Sequence, residues 1–195
     1  MVIKIRDDTK ILRKVMFIGK DGSGKSTAAA KYCKSKHLKP ICIDFDETNI
    51  GTGVPCMELI YGNHLTAKKA ILNAIDDVAK SPDYDTLIFD NVGTMIDDLS
   101  ASRENDPFMN AATDAFKDIM KKLKKSGLHV IFITQIDFYI DEPGKREEKN
   151  NKKAVQLNAL VNEKYYCYRS GTTPENYTYH CVADKKREVN AEAIS

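Results

Sequence analysis

With 195 residues the chain has room for one domain with a sizeable core, and 42% apolar against 30% charged residues is the balance of a globular protein rather than a disordered one. A formal net charge of +2 excludes a surface that is basic throughout, so any contact with nucleic acid has to be local. Five cysteines without a C-x-x-C pair read as reduced thiols, no apolar stretch approaches the roughly 18 residues of a membrane span, and the N-terminus "MVIKIRDDTK" has no apolar signal core, which together imply a cytoplasmic protein with no membrane partner.

In chain order, "KVMFIG" (Lys14 to Gly19) is an apolar run ending in Gly, the mark of a buried strand. The Ala-rich "KSTAAAKYCKSK" follows as a helix. "KPICIDFD" (Lys39 to Asp46) is a second strand. "LTAKKAILNAIDDVAKS" carries Leu65, Ala67, Ile71, Leu72, Ile75, Val78 and Ala79 at helical spacing. "YDTLIFDNVG" is a third strand, "DAFKDIMKKLKKSG" an amphipathic helix stopped by Gly, and "LHVIFITQI" a fourth strand. Strands that are apolar on both faces and alternate with helices predict an α/β fold, a mainly parallel central sheet with helices on both faces. Residues 137–153 are polar and charged and read as a mobile loop. "AVQLNALVNEKYYC" reads as a helix running into a strand, and "NYTYHCVADKKREV" as a late strand paired with "KYYCYRS" in a C-terminal antiparallel extension.

"GKDGSGKS" (Gly19 to Ser26) fits the phosphate-loop pattern G-x-x-x-x-G-K-[ST], between a predicted strand and a predicted helix. The glycines let the backbone curl until several N–H groups face inward, and those groups with the helix N-terminus bind anionic phosphates. Gly19, Asp21, Gly22, Ser23, Gly24, Lys25, Ser26 and Thr27 form the expected nucleotide set, with ATP and Mg²⁺ as cofactors. Lys25 would lie along the β- and γ-phosphates, and the Ser26 hydroxyl would ligate Mg²⁺. "TLIFDNVG" ends its apolar run on Asp90, placed to hold the same ion.

"ICIDFDETN" supplies Asp44, Asp46 and Glu47 at the edge where the C-terminal ends of parallel strands gather. A carboxylate there can activate the water that attacks a γ-phosphate. Strand alternation puts Asp44 and Asp46 on one side of the sheet, with Asp46 nearer the edge.

Taken together, "GKDGSGKS", "CIDFD", "LIFDNVGTM" and "VIFITQI" resemble, in order and spacing, the core of a RecA-type ATPase from about Val15 to Ile136. The resemblance implies one RecA-like domain over residues 1–195, with a core at about 14–136 and a DNA loop and C-terminal strands at about 137–190. Within that superfamily the short chain resembles phage Sak-type single-strand annealing or recombination ATPases, often described as AAA-family phage nucleotide-binding proteins. The resemblance implies a phage-encoded protein in a bacterial host. It further implies that Gln135 touches the γ-phosphate and reports it to the next loop, an uncharged amide being able to donate to phosphate oxygen. The family's acid after the second strand is usually Glu; the matching Asp46 is one methylene shorter and Glu47 is the neighbour that could substitute, which leaves either as the catalytic base and points to slow hydrolysis.

The same resemblance assigns two DNA-facing segments, at about Asp97 to Ala112 and Asp137 to Lys153. In the second, Lys145, Arg146, Lys149, Lys152 and Lys153 would neutralise phosphates, while Phe138 and Tyr139 would stack on bases. That stretch holds five acidic residues beside its five basic ones, so a solvated loop is the competing reading. Lys185, Lys186 or Arg187 would reach the ATP of a neighbouring subunit, and a plain charged turn competes there. The expected partners are single-stranded DNA, further copies of the chain in a ring or filament, and a single-strand binding protein. Two other functions compete with a DNA-dependent ATPase of annealing or strand exchange. One is a small phosphoryl-transfer kinase, disfavoured because the chain has six Arg and only Arg103 between the third and fourth strands. The other is a nucleotide-switched assembly or replication adaptor with little hydrolysis.

Overall fold

A computed structural model describes residues 12–49, 51–60, 66–101, 111–142, 145–149, 157 and 160–186. The chain runs β1 (Lys14–Gly19), α1 (Lys25–Ser35), β2 (Pro40–Asp44), β3 (Cys56–Met57), α2 (Ala67–Lys80), β4 (Thr86–Asp90), α3 (Val92–Ala101), α4 (Ala111–Ser126), β5 (His129–Gln135), β6 (Asp137–Glu142), β7 (Lys145–Lys149), β8 (Glu163–Ser170) and β9 (Thr178–Lys186). Seven strands form one sheet in the order β3-β2-β4-β5-β1-β8-β9. Every pairing in it is parallel except β8 with β9. The mainly parallel sheet and its antiparallel C-terminal extension are thus both present.

The strands' composition explains the layering. Val15 to Ile18 and Val130 to Ile133 are apolar at consecutive positions and buried, as strands covered on both faces must be. On one face Met16, Phe89 and Phe132 pack with Ile71 and Ile75 of α2, Met95 of α3, and Phe116 and Ile119 of α4. On the other face α1, the one helix there among the described residues, brings Ala29, Tyr32 and Cys33 onto Val15, Phe17, Ile131 and Ile133. Thr66 caps α2, its hydroxyl accepting the Lys69 N–H at 3.3 Å. Register then sets the working rim. Gly19 is level with Gln135, and Asp44 with Asp90, so the four strands end on one rim in two steps, β1 and β5 running about two residues past β2 and β4.

Three expectations need correction. Residues 137–149 are not a loop. β6 and β7 form a separate antiparallel ribbon, with Phe138 opposite Glu148 and Ile140 opposite Arg146. Phe138-Tyr139-Ile140 has strand propensity, and the turn-forming pair Pro143-Gly144 follows it; the charge of the stretch hid both signals. The segment from Asp97 to Ala112 is helical at both ends, since α3 runs to Ala101 and α4 begins at Ala111. Finally, β2 ends at Asp44, so alternation does not carry on to Asp46. Residues 102–110, 150–156 and 187–195 lie outside the described residues, and with them Arg103, Lys152, Lys153 and Arg187. The two-residue strand β3, parallel to β2 at the sheet's edge, is too short to leave a period in the sequence.

Candidate nucleotide-binding site

The loop between β1 and α1 is built for a backbone that faces a ligand. Gly22 and Gly24 sit at φ +65° and +79°, a left-handed conformation that side chains with a Cβ seldom adopt. At Gly19 a Cβ would lie 2.1 Å from the Cys167 carbonyl oxygen on β8, so only glycine allows this approach of strand and loop. Ser23 Oγ is buried and has no hydrogen-bond partner among the described residues, a donor that an anion in the cradle would satisfy. The Lys25 side chain is buried, and its Nζ donates to the Lys20 carbonyl at 2.8 Å. Burial lowers its pKa, against the upward pull of Asp21 and Asp90.

The divalent-ion candidates meet. Ser26 Oγ donates to Asp90 Oδ2 at 2.6 Å across the gap between α1 and β4. Burial raises the Asp90 carboxyl above the usual aspartate range, opposed by the Ser26 hydrogen bond. A hydroxyl and a carboxylate in contact at this place are a donor set of hard oxygens that suits Mg²⁺.

Asp46 stands two residues past β2. Its carboxylate accepts from Asn91 Nδ2 and from Thr94 Oγ1, both at the start of α3. Lys25, Ser26, Thr27, Asp46, Asp90 and Gln135 all line one cavity of about 270 Å³, along with Thr48, Thr52 and Asn91, which the motifs did not single out. Asp44 and Glu47 line a different cavity, of about 410 Å³. Asp44 Oδ2 accepts the Asn49 N–H at 2.7 Å, and Glu47 is turned away by a φ of +54°. Asp46 thus lines the cavity of the phosphate loop and Glu47 does not, and Asp44 and Asp46 do not share a side.

A larger cavity of about 720 Å³ opens on the α1 face and shares Gly22, Gly24 and Thr27 with the first. Its walls are Ala28 and Lys31 of α1, Phe17 of β1, and Tyr179 and Cys181 of β9. A Cβ on Gly24 would come within 3.0 Å of the Tyr179 ring, so that ring lies against the phosphate loop. Beside Tyr32 and Tyr165, which line it, stands a half-buried polar network. Tyr32 and Tyr165 hydroxyls donate to Glu163 Oε2 at 2.8 and 3.0 Å, and Arg13 Nη1 donates to Glu163 Oε1 at 2.7 Å. Arg169 also reaches the loop, its Nη1 lying 3.4 Å from where a Gly22 Cβ would be, with its guanidinium 3.9 Å above the Tyr177 ring. Motif spacing gives no hint of Tyr179 or Arg169, because Arg169 is brought near by the β1–β8 pairing and Tyr179 by the β8–β9 pairing.

A family model described as an AAA domain matches residues 12–166. The chain belongs to that family. The matched span contains the whole phosphate cavity of this AAA domain and ends on β8, ahead of Tyr179. Among solved structures, the crystal structure of the RadB recombinase aligns with 90% of this chain and 82% of its own, at a TM-score of 0.55 and 14% identity. At that identity the likeness speaks for the fold alone, and the fold of this AAA domain is RecA-like. No curated protein sequence matches the chain.

The remaining assigned residues lie apart from the cavity. Phe138, Tyr139, Lys145, Arg146 and Lys149 belong to the β6–β7 ribbon, whose first strand starts two residues after Gln135. Lys185 and Lys186 pair with Lys164 and Glu163, level with Met16 and Val15, at the opposite end of β1 from Gly19. They are therefore on the rim away from their own phosphate loop. Among the described residues, no helix is long and apolar enough to cross a membrane.

Proposed function

We propose that this AAA domain binds and slowly hydrolyses ATP with Mg²⁺, and uses the nucleotide to control its hold on single-stranded DNA during annealing or strand exchange. The observation that carries the reading is the convergence of Lys25, Ser26, Asp46, Asp90 and Gln135 on one cavity at the C-terminal rim of a parallel sheet. Family membership and the RecA-like fold support an ATPase of this kind.

In this reading the loop amides and the N-terminus of α1 hold the phosphates. Lys25 leaves the Lys20 carbonyl for the phosphate oxygens. Ser26 and Asp90 are the residues that would hold magnesium, which supplies charge neutralisation at the phosphates when bound. Asp46 takes the proton of the attacking water. Gln135 donates its amide to the terminal phosphate, and its place at the end of β5 ties that contact to the β6–β7 ribbon. The nucleoside lies in the larger cavity against Tyr179. Lys145, Arg146, Lys149, Lys152 and Lys153 meet DNA phosphates, and Phe138 and Tyr139 meet bases. Lys185 and Lys186, on the far rim, and Arg187 after them in the sequence serve the ATP of a neighbour in a ring or filament, which makes the working form a homo-oligomer.

The test is a titration of a labelled single strand with ATP, ADP or no nucleotide at a stated salt concentration, beside ATP turnover with and without that strand. Tighter DNA binding in ATP and faster turnover with DNA support the reading. Phosphorylation of an added metabolite identifies a kinase instead, and nucleotide binding without turnover identifies a switched adaptor.

A further inference from the structure

We propose that Cys167 and Cys181 are an oxidisable dithiol, which a peroxide converts into a disulfide across β8 and β9, and that this bond slows nucleotide exchange in the larger cavity; the second half rests on the nucleoside lying there. The two cysteines stand directly opposite each other in the antiparallel pair, with their sulfurs 3.5 Å apart. Opposed residues of such strands have Cα atoms about 4.5–5.5 Å apart. A disulfide bridges Cα atoms about 4.4–6.8 Å apart, so the bond can form without moving the strands. The two thiols are unequal. Cys181 is exposed on the cavity wall and Cys167 is buried. The Cys167 thiol donates to the Cys181 sulfur, which lowers the Cys181 pKa and raises its own. An accessible sulfur of thiolate character beside a second thiol that can resolve it is the arrangement of redox-sensing cysteines. At the opposite edge of the sheet Cys56 is level with Cys42, but burial raises both thiols, so that pair lacks a sulfur of this kind.

In the first step the Cys181 thiolate attacks one peroxide oxygen, the O–O bond breaks, and the other oxygen leaves as hydroxide and takes a proton to become water. Cys181 is then a sulfenic acid, oxidised by two electrons, and the peroxide is reduced. In the second step the Cys167 sulfur attacks the Cys181 sulfur, the S–O bond breaks, and hydroxide leaves with the Cys167 proton as a second water. A small-molecule dithiol reverses the bond by exchange. The consequence follows from what the two strands touch. The Cys167 carbonyl abuts Gly19 at one end of the phosphate loop, and the ring of Tyr179, two residues before Cys181, lies against Gly24 at the other. β9 is the outermost strand of the sheet. A covalent tie to β8 fixes it, and with it the wall past which a nucleoside enters and leaves.

The experiment treats the full chain with hydrogen peroxide, as wild type, Cys181→Ser and Cys167→Ala, with and without ATP. It reads non-reducing peptide maps and the release of a fluorescent ATP analogue chased with excess ATP. Wild type is expected to lose two hydrogens and to yield a linked Cys167–Cys181 peptide that dithiothreitol separates, while Cys56 stays a thiol at the same dose. Analogue release should slow several-fold in the oxidised wild type and recover on reduction. Cys181→Ser should show neither change, and Cys167→Ala should stop at a sulfenic acid on Cys181 that dimedone traps; should Cys167→Ala not fold, Cys181→Ser carries the comparison. A wild-type Cys181 that stays a thiol, goes on to a sulfinic acid or links two chains overturns the dithiol. Unchanged release after the disulfide has formed, or release that slows equally in Cys181→Ser, overturns the control of exchange. If ATP does not shield Cys181 from peroxide, it is the placing of the nucleoside that fails and the control of exchange with it, and the peptide map alone decides the disulfide.

Discussion

Gly19 stands where β1 meets the phosphate loop, and its lack of a side chain is a requirement of packing rather than of ligand chemistry. A methyl group there would sit 2.1 Å from the Cys167 carbonyl, and backbone cannot yield as a side chain can. Gly19→Ala should therefore destabilise the fold by about 3 kcal/mol, at the upper end of overpacking costs, read as a lower denaturation midpoint in urea. Gln135 is level with Gly19 on the neighbouring strand and is exposed at the strand's tip, so nothing in the core depends on it. Gln135→Ala should leave ATP affinity nearly unchanged while single-strand affinity loses its dependence on the nucleotide. Fluorescence anisotropy with ATP and with ADP decides it. A variant whose DNA affinity still follows the nucleotide removes Gln135 from the sensing role.

At the scale of elements, the β8–β9 pair links distant parts of the chain. It sets Cys167 and Cys181 opposite each other, their sulfurs 3.5 Å apart, with Cys181 exposed on the wall of the larger cavity. The hydrogen bond from Cys167 lowers the Cys181 pKa, whereas burial raises that of Cys56 and pushes Cys33 up to about 12. The thiolate is the reactive form, so a maleimide near neutral pH should modify Cys181 first, and Cys56 only as pH rises further. Saturating ATP should protect Cys181 and leave Cys56 as it was, a difference that peptide mapping detects. Equal protection, or none, argues against a nucleoside in that cavity. The four central strands were legible in the sequence, because each is a run of Val, Ile, Leu or Phe that ends on Gly, Asp or Gln at the working rim. The β6–β7 ribbon was not, since its charges masked its strand propensity. The place of Asp46 was legible only to within a residue, because the chain leaves strand geometry after Asp44 and turns through a left-handed Glu47. Tyr179 and Arg169 were beyond reach, as they come to the loop by long-range strand pairing, Arg169 through β1–β8 and Tyr179 through β8–β9, and by no local pattern.

Over the whole molecule the two faces of the sheet are unequal. Among the described residues three helices cover one and α1 alone packs the other, with the larger cavity opening beside β8 and β9. Binding confined to the folded state should stabilise it, and ATP at 100 times its Kd adds about 2.7 kcal/mol, a rise in Tm of roughly 5–10 °C for a domain of this size. Lys25→Ala should abolish that rise, yet its ligand-free Tm should match or exceed wild type, because a buried ammonium is a cost to the fold. Differential scanning fluorimetry separates the two effects. In the sheet, β1 lies between β5 and β8, so the two flanks of the loop belong to different parts of the chain. On the proposed binding mode, a nucleotide that has been shortened by one phosphoryl loses its hold on the Gln135 flank alone and stays anchored by its ring on the Tyr179 flank. On that mode the product lets go in two stages, its phosphate end first at the centre of the sheet and its ring last at the outer strand pair.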